Sequence, residues 1–204
     1  VNASRLEKGK KEANSIWLWG QGRAPRMETY REKFGIGGGV VVSAVDLIKG
    51  IGKLAGLSCP AVPGATGWID TDYEAKVAAA LDGLRSADFA FVHVEAPDEA
   101  AHQGNLEDKI RAVEDFDARV VGPVWQALEA GGGDYALLVM PDHPTPLELK
   151  THSRDPVPFA LHVSKDGAKR PGEAYSEEAA RRTGLRVDHA HRLMAHLAGK
   201  DRLW

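Results

Sequence analysis

Five side chains that can bind a metal ion lie at the ends of three predicted strands. They are Asp98, His102, Asp142, His143 and His152. Because Asp98 and His102 are four residues apart, a helix would place a carboxylate and an imidazole on one side of a turn. Carboxylate and imidazole ligands without a thiolate suit Mn²⁺, Zn²⁺, Co²⁺ or Fe²⁺. Two such ions close together can stabilise the attacking and leaving oxygens of a phosphoryl transfer.

Each of these residues also has an ordinary structural explanation. Asp98 would cap a helix and His102 would lie on a solvated helix face. Asp142 would cap a turn before Pro144, with His143 merely exposed. In a layered α/β sheet, however, the connections at the carboxyl ends of the strands gather at one edge. Five metal-capable groups in three such connections therefore favour a metal site.

Short apolar strands that alternate with helices must position these side chains. The predicted strands cover residues 15–20, 40–45, 88–95, 135–140 and 157–163. Apolar periodicity predicts helices over residues 44–55, 73–84, 106–121 and 187–198. The strands are continuously apolar, as expected when helices cover both sheet faces. The sequence therefore predicts an α/β fold with a mostly parallel sheet layered between helices.

Local signals add detail to three of these elements. Thr71 and Glu74 have the spacing of a capping box at the start of the helix over 73–84. The Gly122-Pro123 pair should break or kink the helix over 106–121. Trp17 and its apolar neighbours are expected to be buried in the first strand.

Composition and charge limit the classes of partner. The chain has 204 residues with 26 Lys and Arg against 29 Asp and Glu, a net charge of −3 that argues against a nucleic-acid partner. No apolar run approaches the roughly 20 residues that span a bilayer, so no membrane partner is expected. Cys59 is the single cysteine, which excludes an internal disulfide and favours the cytoplasm. Residues 1–14 have the charged composition of a linker, which leaves 15–204 as one domain.

Several longer motifs together resemble one family. They are ANSIWLWGQGRAP, VVVSAVDLIKGIGKLAGL, VPGATGWIDTDYEAK, DFAFVHVEAPDEAAHQGN, PDHPTP and THSRDPVPF. With them the chain closely resembles the archaeal-type cofactor-independent phosphoglycerate mutases of the alkaline phosphatase superfamily. The resemblance implies an alkaline-phosphatase-like core of which this chain is the C-terminal half. It also implies a glycolytic isomerase that moves a phosphoryl group between 3-phosphoglycerate and 2-phosphoglycerate through a metal-activated serine.

The resemblance also assigns roles to residues. It implies two divalent ions, Mn or Zn and alternatively Co or Mg. Asp98, His102 and His152 would hold the first ion, and Asp142 and His143 would contribute to the second. Lys49 lies where related mutases place a lysine near the phosphoryl group, although a surface lysine on a helix is an equally good explanation.

Two further residues adjoin the expected ligands. Glu95 is expected to orient a ligand imidazole, whereas His93 on the same strand is expected to be packed. Arg154 either supports His152 or forms a local ion pair with Asp155.

One element of the family pattern is missing from this sequence. No Asp-Ser-Gly element occurs in the chain, so the serine nucleophile has no counterpart here. We therefore expect a fragment with little mutase activity of its own, and self-association through an exposed sheet edge or pairing with a missing N-terminal segment. The alternatives are a phosphate or sulfate ester hydrolase of the same superfamily and a non-catalytic binding half-domain.

Overall fold

The computed structural model describes residues 1–18, 20–166 and 174–201. Four strands lie in these ranges: β1 (Gly39–Val42), β2 (Phe89–Val92), β3 (Ala136–Val139) and β4 (Ala160–Val163). The helices are α1 (Asn2–Glu7), α2 (Tyr30–Phe34), α3 (Asp46–Leu54), α4 (Tyr73–Leu84), α5 (Ala96–Gln103), α6 (Leu106–Phe116), α7 (Gly122–Gly131), α8 (Glu177–Arg182) and α9 (Arg192–Leu197). A π-helical turn (Asp117–Val121) joins α6 to α7, and a 3₁₀ turn (Ser164–Asp166) follows β4. The predicted α/β class is confirmed.

The strands of the described residues form two separate pairs. β1 and β2 are parallel, with Gly39 opposite Phe89 and Val42 opposite Val92. β3 and β4 are antiparallel, so the expectation of a mostly parallel sheet holds only for the first pair. A parallel connection needs a long crossover, usually a helix, and α3 and α4 supply it between β1 and β2. Residues 140–159, between β3 and β4, contain no helix, and β4 runs back antiparallel to β3.

The core lies on both faces of the parallel pair. On one face Val40 and Val42 pack against Ala80 of α4. On the other face Val41 packs beside α3, with Ala55 and Leu57. A Cβ added at Gly52 would lie 2.8 Å from a Val41 methyl, so glycine is what lets α3 approach β1 this closely. The two packed faces fix the carboxyl ends of β1 and β2 at one edge.

The predicted strand over residues 15–20 is wrong. Residues 15–18 and 20 have no regular structure, and the side chains of Ile16, Trp17 and Leu18 are more than four-fifths exposed rather than buried. Residues of high β propensity need a neighbouring strand to complete their hydrogen bonds, and within the described part of the chain this segment has none. Trp19 lies outside the described residues. The other four predicted strands are confirmed, and each is shorter in the structure than predicted.

Three helix predictions need correction. The N-cap of α4 is Asp72, whose carboxylate accepts from the Ala75 amide at 2.8 Å, while the Thr71 hydroxyl accepts from the Thr66 amide. At Pro123 the helix continues through the π turn instead of breaking, because the wider turn accommodates the missing proline N–H. The last helix begins at Arg192 rather than at residue 187.

Two further findings concern the N-terminal residues and the search for membrane-spanning helices. α1 lies inside the predicted linker over residues 1–14 and buries no residue, and the domain boundary at residue 15 stays a prediction. Among the helices in the described ranges, none combines the length and apolar character that a bilayer crossing needs.

Candidate metal centre

Helix α5 holds two of the candidate ligands in a fixed relation. It begins just beyond the carboxyl end of β2, has Pro97 in its first turn and is capped after Gln103 by Gly104, whose φ of 71° is left-handed. Asp98 lies in the first turn and His102 in the last, where the helix dipole favours a negative and a positive charge respectively. The Nε2 atom of His102 lies 3.2 Å from Oδ2 of Asp98, as the four-residue spacing predicts.

The connection over residues 140–159 brings the third candidate ligand to α5. Nε2 of His152 lies 3.4 Å from Oδ1 of Asp98 and 3.1 Å from Nε2 of His102. Ligands about 2.1 Å from a shared ion lie roughly 3.0 Å apart in octahedral and roughly 3.4 Å apart in tetrahedral coordination. The separations are close to these values, although they involve both oxygens of Asp98, Oδ2 toward His102 and Oδ1 toward His152. The three groups form a metal-capable cluster in which one ligand atom from each residue lies within 4.8 Å of the others.

The hydrogen bonding of His102 also fits a cation. Its Nδ1 lies 2.9 Å from the carbonyl oxygen of Lys150, which can only accept, so Nδ1 carries the proton. In the neutral ring Nε2 then presents a lone pair toward His152 and the Asp98 carboxylate. A lone pair that faces another imidazole nitrogen and an anion is satisfied by a proton or a cation between them.

The other two candidate ligands lie beside this cluster. The ring of His143 stacks on the ring of His152 with centroids 3.7 Å apart. Asp142 is exposed and accepts from the His143 amide at 3.0 Å. Burial raises the pKa of Glu95 most, followed by the charges of Asp98 and Glu99, and the charge of Asp142 adds a smaller increase. The charge of Asp142 therefore reaches the site.

Thr145 belongs to the site, although the sequence reasoning missed it. Its side chain is buried, and its hydroxyl donates a short hydrogen bond to Oδ1 of Asp98. The hydroxyl oxygen of Thr145 also lies 3.4 Å from Nδ1 of His143. The position of Thr145 in the PDHPTP motif, two residues after His143, is the signal that could have identified it.

Glu95 is held by a partly buried polar chain behind the cluster. Its carboxylate lies 3.0 Å from Nε2 of His93, and Nδ1 of His93 lies 3.1 Å from the Ser43 hydroxyl. The hydrogen-bonding partner of Glu95 is thus His93, the residue that follows β2, rather than a ligand imidazole. Burial lowers the pKa of His93 and raises that of Glu95. Glu95 also groups with Asp98 and Glu99 in a second metal-capable set.

A buried lysine lies next to this chain. The side chain of Lys76 is fully buried, and its Nζ donates to the carbonyl oxygens of Thr66 and His93 at 3.3 Å. Burial lowers the pKa of Lys76, while the charge of Glu95 opposes that change. Sequence reasoning missed both Lys76 and Ser43, because neither has a motif that distinguishes it from an ordinary helix or strand residue.

The structure does not bring the two remaining predicted residues into contact with the cluster. Lys49 forms an ion pair with Asp46, one turn away on α3, at 2.7 Å. Arg154 is exposed and makes no ion pair within the described ranges, while its neighbour Asp155 accepts from the Ser153 hydroxyl. Lys49 therefore has the geometry of a surface helix lysine in this state, and the expected Arg154–Asp155 ion pair is absent from the described residues.

The chain is similar to known mutases along most of its length. It is 57% identical over 190 residues to a probable 2,3-bisphosphoglycerate-independent phosphoglycerate mutase of Geobacter sulfurreducens, an alignment that covers 93% of this chain and 47% of the relative. It is 52% identical over 184 residues to the 2,3-bisphosphoglycerate-independent phosphoglycerate mutase of Methanosarcina acetivorans, covering 90% and 46%. The chain thus spans about half the length of the curated relatives that it matches.

Solved structures support the same fold. The PH0037 protein from Pyrococcus horikoshii superimposes with a TM-score of 0.69 at 28% identity, covering 87% of this chain and 53% of that one. The cofactor-independent phosphoglycerate mutase from Thermoplasma acidophilum shares the fold with a TM-score of 0.60 at 23% identity, covering 97% and 46%. The family model for the metalloenzyme superfamily matches residues 6–200. With that match spanning nearly the whole sequence, the chain belongs to the metalloenzyme superfamily.

Proposed function

We propose that this chain is the metal-binding C-terminal portion of a cofactor-independent phosphoglycerate mutase, which interconverts 3-phosphoglycerate and 2-phosphoglycerate by phosphoryl transfer. The observation that carries the proposal is the convergence of Asp98, His102 and His152 in a chain 57% identical to a curated mutase. Two imidazoles and one carboxylate supply three protein ligands and leave positions open for substrate oxygens. The substrate is accordingly a small phosphorylated acid, and we assign the reaction to the cytoplasm.

The donor set defines which ions we expect. Asp98, His102 and His152 would hold a first divalent ion, and Asp142 with His143 would contribute to a second. Nitrogen and oxygen donors without sulfur suit Mn²⁺ or Zn²⁺, with Co²⁺ and Mg²⁺ as alternatives. When bound, such ions neutralise charge on the transferring phosphoryl oxygens and lower the pKa of a coordinated nucleophile.

The residues of this chain supply ligands and their supports rather than the nucleophile. Thr145 holds one Asp98 oxygen, and His93 holds Glu95 at the rim of the cluster. The sequence contains no Asp-Ser-Gly element, so a serine would have to come from another segment. We therefore expect these 204 residues alone to bind metal but to show little mutase activity.

Titration with Mn²⁺ tests the metal centre. We expect the unaltered chain to bind Mn²⁺ in isothermal titration calorimetry, and Asp98→Ala and His102→Ala to lower the affinity at least 100-fold, beyond the range for loss of an outer hydrogen-bonding partner. Asp82→Ala is the matched control, because Asp82 is an exposed helix carboxylate paired with Arg85 and should leave binding unchanged. Equal binding by all four proteins would overturn the proposal and favour a non-catalytic module.

An assay for ester hydrolysis separates the mutase from its superfamily alternative. The loaded protein is mixed with p-nitrophenyl phosphate and, separately, with 3-phosphoglycerate. Hydrolysis of the ester that is lost in Asp98→Ala would replace the mutase proposal with a hydrolase. We expect no turnover of either compound above the metal-free control.

An apolar surface on α3 supports a polypeptide partner. Leu47, Ile51 and Leu54 are spaced at i, i+4 and i+7 and are 69%, 46% and 41% exposed. Phe91 of the neighbouring strand β2 is also exposed, and within the described ranges β2 pairs only with β1. Because the matched relatives are about twice as long as this chain, we propose that the additional half of such a protein covers this surface.

Light scattering tests whether this surface promotes self-association. We expect the chain alone to self-associate through the same surface at micromolar concentration, and Ile51→Lys to reduce that association. Leu106→Lys, at an exposed leucine on α6, is the control that should change nothing. A monomer across the whole concentration range would contradict an exposed interaction surface.

A further inference from the structure

Lys150 has an unusual backbone conformation. Its φ of 52° is positive, and among the non-glycine residues that the structure describes it alone has this property. The left-handed region is unfavourable for an L-residue with a side chain, because Cβ comes too close to the following carbonyl oxygen. Such a conformation persists only where the surroundings hold it, and functional sites are where it collects.

Contacts on both sides hold Lys150 in this conformation. Its amide donates to the carbonyl oxygen of Pro146 at 2.9 Å, which closes a turn in the loop. Its side chain crosses the end of α5 so closely that a Cβ on Gly104 would lie 2.5 Å from Cε of Lys150. The loop is thus fastened to the helix two residues beyond His102.

The left-handed backbone directs the carbonyl of Lys150 at the His102 ring. The oxygen accepts from Nδ1 at 2.9 Å, which leaves Nε2 without a proton in the neutral ring. Nε2 then points at Nε2 of His152 and Oδ2 of Asp98, 3.1 and 3.2 Å away. A hydrogen bond to one imidazole nitrogen is the usual way in which proteins fix the tautomer of a metal ligand.

We propose that Lys150 is a positioning residue for the metal centre, and that it acts through its strained backbone rather than through its ammonium group. In the left-handed conformation its carbonyl holds His102 in the Nδ1–H tautomer with Nε2 aimed at the cation. The inference rests on the proposed metal centre and extends it by a residue that does not touch the ion.

Substitutions at Lys150 separate the backbone from the side chain. Lys150→Gly and Lys150→Val both remove the ammonium group, but only glycine adopts positive φ freely. We expect Lys150→Gly to bind Mn²⁺ within about threefold of the unaltered chain, and Lys150→Val to bind it 10–100-fold more weakly, the range for loss of an outer partner. Lys150→Ala should fall between them and serves if the valine variant does not fold.

A control and a second measurement complete the test. Leu149→Val introduces valine at the preceding position of the same turn, where φ is not positive, and should leave Mn²⁺ affinity unchanged. Imidazole ¹⁵N spectra of the metal-free proteins should show Nδ1 of His102 protonated in the unaltered chain and in Lys150→Gly, and a mixture of tautomers in Lys150→Val.

The outcomes distinguish the inference from the proposed function. If the unaltered chain binds no Mn²⁺, the metal centre fails, and the tautomer spectra still test the role of Lys150. If the unaltered chain binds Mn²⁺ and the glycine and valine variants bind it equally, the metal centre stands and the positioning role is overturned. An unchanged tautomer in Lys150→Val overturns the positioning role as well.

Discussion

Helix α5 and the loop over residues 141–153 supply the candidate ligands in two different ways. α5 is a regular helix with three buried alanines, closed by a left-handed glycine, and its two ligands are one turn apart. The loop has neither helix nor strand, and it reaches the same point through single contacts. Those contacts are Thr145 to Asp98, His102 to the Lys150 carbonyl, and the Ser153 amide to the Pro144 carbonyl at 3.0 Å.

This difference indicates that metal affinity and the free energy of unfolding depend on different contacts. The two ligands on α5 keep their relation as long as the helix forms, because 3.6 residues per turn fixes it. The ligand from the loop keeps its place only while the tertiary contacts hold. Changes in the loop should therefore weaken metal binding with little effect on unfolding, whereas changes at the end of the helix should affect both.

The largest expected effect comes from the contact between the loop and Asp98. Thr145→Val keeps the shape of the side chain but removes the hydroxyl that donates to Oδ1 of Asp98. We expect Mn²⁺ affinity to fall 10–100-fold, because the carboxylate loses the partner that orients it. Calorimetric titration measures the affinity.

Thr145→Ser is the control, since it retains the hydroxyl and should bind Mn²⁺ nearly as well as the unaltered chain. Thermal unfolding of both variants in the presence of a chelator compares their stabilities without metal, and so shows whether a change in affinity comes from a change in stability. Equal affinities for the serine and valine variants would mean that this hydrogen bond does not orient Asp98.

The next effect concerns the junction of helix and loop. Gly104→Ala places a Cβ at a φ of 71° and forces the Lys150 side chain away. We expect a loss of about 1–2 kcal/mol in the free energy of unfolding from the backbone alone. Weaker Mn²⁺ binding should accompany it, because a strained helix end displaces His102, two residues before Gly104. Urea unfolding and Mn²⁺ titration give the two values.

Gly132→Ala provides a matched control for the backbone effect. Gly132 ends α7 with a φ of 65°, and an added Cβ there would meet nothing within 4 Å. It should lose similar stability and keep full Mn²⁺ affinity. A loss of affinity in both variants would show that metal binding follows global stability rather than the helix–loop junction.

The smallest effect sets a baseline away from the site. Arg119 donates to both carboxylate oxygens of Glu74 at 2.8 Å and lowers the pKa of Glu74 from 4.5 to about 2. Because the folded pKa is the lower one, the ion pair stabilises the fold above about pH 4.5 and is lost as the pH falls toward 2. The Glu74 side chain is largely solvated and that of Arg119 partly so, and solvent weakens the ion pair. We therefore expect Glu74→Gln to cost less than about 1 kcal/mol at pH 7.

Chemical unfolding at several pH values between 3 and 7 checks this prediction. In Arg119→Gln the same change at Glu74 should have a much smaller pH-dependent effect, since only the hydrogen bond from the backbone amide of Glu74 then lowers the pKa of this carboxyl group. Mn²⁺ affinity at pH 7 should be unchanged in Glu74→Gln. An altered affinity there would contradict the separation between helix packing and the metal centre.

Local signals in the sequence were sufficient for the best-ordered parts of the protein. Apolar runs identified β1 to β4, and periodicity identified α4 with the bounds that the structure has, Tyr73–Leu84. The same signals failed at Ile16 and Trp17, because an apolar run becomes a strand only where another strand can pair with it. They also missed Thr145 and Lys76, whose environments depend on distant segments.

The sequence by itself determined the turn of helix that pairs Asp98 with His102 and the chemistry of the donors. Both follow from residue types and from the fixed geometry of a helix. The family resemblance assigned His152 to the same ion, but only the tertiary structure showed how this residue, fifty positions after His102, reaches the cluster. It also decided that His143 stacks beside His152 and that the Lys150 carbonyl holds the His102 ring. Those contacts depend on how a loop without regular structure folds back over α5, and no short-range pattern encodes that path.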